Sequence, residues 1–240
     1  MKKKYTYEDL LGIVETLRSE EGCPWDRKQT HESLKPCMTE EAAELLGAVR
    51  IYDKTGNAEN MQEELGDILL QVVMHAQIAK EEKLFTMEDV VDEVSAKMVR
   101  RHPHVFGNKR AEEKDIPLNW EEIKKKEKEG KDWIESPLRE IPSELPALAR
   151  AQKVIKKVKK LYEPGNDYYR NVMELEQSVG QLKEHNPGTE AEEFHKLNEL
   201  IGDILLNISY ISAQFKIPQE QILTDRIEDM IDKYEPMEKP

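Results

Sequence analysis

The chain has 240 residues, 38% hydrophobic and 35% charged, enough for one large domain or two small ones with much solvated helix surface. A formal net charge of −13 excludes a general nucleic-acid binder, which needs a basic footprint. No apolar run approaches a membrane span, no h-region follows the basic start, and Cys23 and Cys37 form no CxxC pattern, so a cytoplasmic protein with reduced thiols and no membrane contact is expected.

Helical periodicity runs through the chain and predicts an all-α fold. Leu10, Ile13, Val14 and Leu17 mark a first helix capped near Thr6. "GCPWDRKQTH" (22–31) reads as a loop, and a second helix runs from Glu40 to about Ile51. A third starts near Asn57, with Met61, Leu65, Ile68, Leu69 and Val72 expected to face inward. Thr86 and Asp89 resemble a capping box for a fourth helix, which Pro103 stops. Asn119 and Glu122 cap a short charged helix, in which "KKKEKEGK" reads mostly as a solvated face.

The three prolines of segment 136–149 suggest a linker between domains at 1–135 and 150–240. Beyond it, Leu197, Leu200, Ile201, Ile204, Leu205 and Ile208 share one helical face. "GDILL" occurs at 66–70 and again at 202–206, each time mid-helix with similar flanks, which reads as two related helical units.

Within "TEEAAELLGAV" (39–49), Glu41 and Glu44 stand three apart on the stripe that carries Leu45 and Ala48. The third helix repeats this with Glu64 and Asp67 beside Leu65 and Ile68. Two helices joined by a short turn pack antiparallel, so the four carboxylates can converge. Unpaired buried carboxylates cost several kcal/mol each, and a hard divalent cation such as Mg²⁺ resolves the conflict. One acidic pair alone is better explained as the wet edge of a stripe; two pairs on adjacent helices favour a metal. Basic groups supply the other half of a phosphate site. Lys97 and Arg101 lie i,i+4 with Arg100 alongside, and Trp120 and Lys124 form a second i,i+4 pair.

These residues resemble a known family. "EEAAE" (40–44) followed by "ELGD" (64–67) is similar to the EExxE…ExxD signature of MazG-type nucleoside triphosphate pyrophosphohydrolases. "GCPWDRKQTH", "RRHPHVF" (100–106), "NWEEIK" (119–124) and "IPSELPALARAQK" (141–153) continue the likeness over most of residues 8–153. The resemblance implies tandem MazG-like helical domains whose four-helix-bundle packing is completed in a homodimer. It also implies Mg²⁺-dependent hydrolysis, with Mn²⁺ as a substitute, of nucleoside triphosphates at the α–β phosphoanhydride, giving monophosphate and pyrophosphate. By position, the metal ligands fall on Glu41, Glu44, Glu64 and Asp67, and the nucleotide-contacting residues on Lys97, Arg101, Trp120 and Lys124, with Arg100 a further substrate-binding candidate beside Arg101. Glu40 and Glu63 match neighbouring acidic positions that suit either supports of the metal ligands or a water-orienting base.

The second half departs from the pattern. Leu200 replaces the glutamate that should precede Asp203, the upstream acids Glu174 and Glu176 are not spaced by three, and no second Trp-xxx-Lys follows. A degenerate copy kept for dimerisation or regulation is expected. Two other classes compete with the enzyme. A di-iron bundle needs two ExxH motifs, and the single one, Glu192 to His195, is better read as part of a Thr189 capping box. A non-enzymatic helical module binding a metal or partner would show no pyrophosphate release. Trp25 offers either a base-stacking ring or a loop anchor beside Pro24, the histidines of "RRHPHVF" read as structural, and His75 reads as a core residue.

Overall fold

The computed structural model describes residues 4–107, 123, 127, 136–165, 168–184 and 191–235, with the side chains of 191–193 left out. The Asn119 and Thr189 caps expected from sequence lie outside these residues, as do Trp120 and Lys124. Among the described residues every regular element is a helix, so the class is all-α. The chain divides into two compact units, Met1–Glu127 and Lys128–Pro240.

In the first unit α1 (Tyr7–Arg18) starts at a full capping box. The Thr6 hydroxyl accepts from the Asp9 amide at 3.2 Å, and the Asp9 carboxylate accepts from the Thr6 amide at 2.9 Å. The segment read as a loop contains one turn of helix, α2 (Pro24–Arg27), because Pro24 at its first position is already shaped for a helix. Helix α3 (Lys35–Thr55) begins five residues before the acidic motif and ends at Gly56, whose φ of +74° gives the left-handed cap a side chain would resist. Helix α4 (Glu59–Glu81) packs back along α3 after this short connection. Helix α5 (Met87–Arg101) opens on the Thr86–Asp89 capping box and stops at His102, before the single turn of α6 (Pro103–Phe106).

The first core is Val14, Leu34, Val73, Met74 and Ile78, with Leu10, Leu11 and Leu70 against it. It is drawn from the second half of α4, not the first. Leu65 and Leu69, expected to face inward, are 51% and 38% exposed, and Leu46, Val49 and Tyr52 of α3 are exposed as well. One chain therefore leaves part of its own apolar stripe uncovered.

The second unit contains α7 (Ala147–Leu161), α8 (Tyr168–Glu184), α9 (Ala191–Gln214) and α10 (Gln219–Tyr234). As α3 does with α4, α8 makes its main contact with α9, and α7 also packs on α9. The two "GDILL" segments thus occupy the second helix of each pair. Ile155 and Leu200 are buried, and so are the small polar residues Ser178 and Ser209. Their hydroxyls donate to the carbonyls of Glu174 and Leu205, one turn back, which satisfies them where the helices approach. In the proline-rich segment Ile141 is buried and Glu140 pairs with Lys157 of α7, so part of that segment packs on the second unit.

Candidate metal and phosphate site

The α3–α4 pair brings acids of both helices together. Glu41, Glu64 and Asp67, all half-buried, each place one carboxylate oxygen within 4.8 Å of the others. Glu44 is exposed and lies close enough to raise the pKa of both Glu41 and Glu64. Glu40 and Glu63 are exposed at the edge of the group.

Burial, followed by the charges of Asp67, Glu44, Glu64 and Glu40, pushes the Glu41 carboxyl above its ordinary value. Glu64 is raised first by burial and then by Glu44, against a 2.8 Å hydrogen bond donated by the Asn60 amide. Among the described residues these three like charges thus stand together with no cation offsetting the shifts of Glu41 and Glu64. Opposed oxygens on a six-coordinate Mg²⁺ stand about 4 Å apart, so these acids fit a hard divalent cation with small side-chain adjustments. An all-oxygen donor set with no His or Cys disfavours zinc and copper.

The basic residues of α5 are already engaged. Lys97 lies 3.7 Å from Glu93, one turn earlier. Arg100 and Arg101 converge on one carboxylate, Glu127. Arg100 Nε and Nη2 donate to Oε1 at 3.0 and 2.8 Å, and Arg101 Nε and Nη2 donate to Oε2 at 3.1 and 2.5 Å. Arg101 and then Arg100 hold the Glu127 carboxyl down at about 2. Glu127 belongs to the charged run that reads as solvated surface. A carboxylate among lysines carries no periodic signal, so its partners, 26 and 27 positions away, could not be read from the sequence.

A second unforeseen cluster ties the 22–31 segment to α4. Arg18 is buried; its Nε and Nη2 donate to Glu81 at 3.0 and 2.8 Å, and its Nη1 donates to the carbonyls of Asp26 and Gln29 at 2.6 and 3.1 Å. The sequence signal was Arg18 sitting one turn after buried Val14, on the apolar face. Gly22 allows the tight turn into this segment, since a Cβ there would run into the carbonyls of Thr16 and Leu17.

The segment carries Trp25 outward, 76% exposed, which removes the anchor role beside Pro24. His75 is not a simple core residue. Its Nδ1 lies 2.8 Å from His31 Nδ1 with the rings parallel to within 4°, and burial followed by His31 lowers its pKa. His102 Nδ1 lies 2.6 Å from the Met98 carbonyl at the end of α5, in keeping with a structural role. In the second unit Leu200 is buried and Asp203 exposed, and His195 Nε2 lies 3.6 Å from Glu199, one turn later; the Glu192 side chain of the ExxH motif lies outside the described residues.

The sequence is similar to those of known proteins. The family model described as the MazG nucleotide pyrophosphohydrolase domain matches residues 29–106, which include the acids of α3 and α4 and the cations of α5. A Thermotoga maritima protein named nucleoside triphosphate pyrophosphohydrolase/pyrophosphatase MazG is 39% identical over 237 residues, covering 97% of this chain and 86% of that one. An Escherichia coli nucleoside triphosphate pyrophosphohydrolase is 43% identical over 150 residues, 62% of this chain and 55% of its own. The Bacillus subtilis protein YabN, of uncharacterised function, is 42% identical over 221 residues, and this chain spans 44% of its length.

Proposed function

Because the chain belongs to the MazG nucleotide pyrophosphohydrolase family, we propose that it hydrolyses nucleoside triphosphates to nucleoside monophosphate and pyrophosphate. The observation that carries this reading is the convergence of the carboxylates of Glu41, Glu64 and Asp67 inside the matched segment. These three, joined by Glu44, would hold Mg²⁺, with Mn²⁺ as a substitute. When bound, the cation supplies charge neutralisation for the triphosphate and a water acidic enough to act near neutral pH.

Water then adds in line at phosphorus, the Pα–O–Pβ linkage breaks and pyrophosphate leaves. One proton must be taken from the water. Glu40 and Glu63 would accept it directly or through solvent, a role their exposure beside the trio supports. Lys97, Arg100 and Arg101 offset charge on the departing pyrophosphate, and Trp120 with Lys124 would contact the nucleotide. The mutual repulsion within the trio favours the cation-bound state, because the cation relieves a strain built into the folded chain.

The exposed apolar residues Leu46, Val49, Tyr52, Leu65 and Leu69 support a homodimer in which two α3–α4 pairs complete a four-helix bundle. The second unit, with buried Leu200 in place of an acid, is a degenerate copy of the first. The chain works in the cytoplasm, where Mg²⁺ and triphosphates are abundant. The test is a panel of triphosphates with Mg²⁺, scored for monophosphate and pyrophosphate. Formation of diphosphate and phosphate, or no metal-dependent product at all, would reject it in favour of another hydrolase or a non-enzymatic module.

A further inference from the structure

We propose that Glu127 is an internal anion that occupies the guanidinium groups of Arg100 and Arg101 in place of a ligand phosphate and sets how much negative charge an incoming ligand must bring. This rests on the phosphate role given above to the basic face of α5.

Successive residues on a helix point about 100° apart, so Arg100 and Arg101 would not converge without a shared target. Glu127 is that target, and its two oxygens accept five hydrogen bonds from them. The Nε–Nη2 edge of each guanidinium, which matches a phosphate as well as it matches a carboxylate, is filled. Exposure rises across the cluster, from 13% at Glu127 and 18% at Arg101 to 47% at Arg100, so an anion from solvent reaches Arg100 first. Lys97, on the same helix, is paired to Glu93.

Binding of an anion to this face is therefore an exchange. Its free energy is the difference between the anion's contacts and those Glu127 gives up. A single carboxylate brings one charge, whereas a phosphate ester brings about 1.5–2 and a polyphosphate brings more. Only a polyphosphate gains clearly from the exchange. A monophosphate gains little, and pyrophosphate, with less charge than a triphosphate, gains less than the substrate does. Glu127 thus selects ligands by charge without contacting the reacting atoms.

Anion binding to the full-length protein, with metal chelated, provides a test that does not depend on turnover. Isothermal titration with inorganic tripolyphosphate, pyrophosphate and phosphate would be compared for the native protein, Glu127→Gln and Glu127→Asp. Glu127→Gln keeps the shape and removes the competing charge. Tripolyphosphate should bind about tenfold more tightly, the gain expected for one charge-assisted contact, and phosphate binding should become measurable. Glu127→Asp, too short to bridge both arginines, should give an intermediate gain and keeps the proposal testable if the glutamine variant fails to fold. In turnover, KM for the triphosphate should fall with kcat unchanged. Unchanged or weaker tripolyphosphate binding in the folded variants, or a raised KM, would overturn the proposal and leave Glu127 as a support for the arginines. Absence of triphosphate hydrolysis by the native protein would instead reject the proposed function, independently of these titrations.

Discussion

Replacing Asp67 with asparagine should invert the stability order of the protein with and without Mg²⁺. Without metal, the Asp67 charge opposes Glu41 within 4.8 Å. At that distance in a water-like dielectric two unit charges repel by about 0.9 kcal/mol, which salt reduces. Because the Glu41 carboxyl is raised by burial first and Asp67 next, its neutral form is the one the fold favours. Stability without metal should thus be greatest below the unfolded value near 4.5 and decline as pH rises through the higher folded value. The Asp67→Asn change removes part of that decline, so the metal-free variant should melt at or slightly above the native protein. With Mg²⁺ at about a hundredfold over its dissociation constant, linkage adds about 2.7 kcal/mol to the native fold. At about 2–4 °C per kcal/mol for a chain of this length, that is a rise of about 5–10 °C. The variant should lose most of this rise and most Mg²⁺-dependent hydrolysis. Thermal melts across a Mg²⁺ titration at neutral pH measure both terms. An equal Mg²⁺-induced rise in Asp67→Asn, or a clear loss of stability without metal, would refute the argument.

Arg18→Met should cost the first unit about 3 kcal/mol, at the low end for a broken buried pair because Glu81 keeps 37% exposure, as measured by urea denaturation. Asp203→Asn should leave hydrolysis unchanged in the assay that Asp67→Asn fails. The lowered pKa of His75 means that the unfolded imidazole takes up a proton first as pH falls through 6.5. Stability should therefore drop on the acid side of 6.5, and denaturation midpoints on either side should show a smaller drop in His75→Leu. Lys97→Ala should raise KM for the triphosphate while leaving the Mg²⁺-induced rise in melting temperature intact.

The local features of the fold were legible in the sequence. The Thr6–Asp9 and Thr86–Asp89 boxes, the stop at Pro103 and the helical class follow from contacts within four residues, which residue type and spacing determine. The grouping of Glu41, Glu64 and Asp67 was also readable, because a short turn between two periodic helices leaves only one way to fold back. Other features required the tertiary structure. Periodicity gives a stripe its face but not the depth to which neighbours cover it, so Leu65 and Leu69 were expected to be buried and are exposed. Polar partners far apart in the chain leave no local trace: the sequence shows neither that Arg18 grips Glu81 nor that His31 meets His75. The same holds for Glu127, one acid in a run of lysines until the fold sets it against Arg100 and Arg101. Helix type and site chemistry were thus local properties of this chain, whereas the occupancy of its basic face depended on which distant side chains packing brought within hydrogen-bond range.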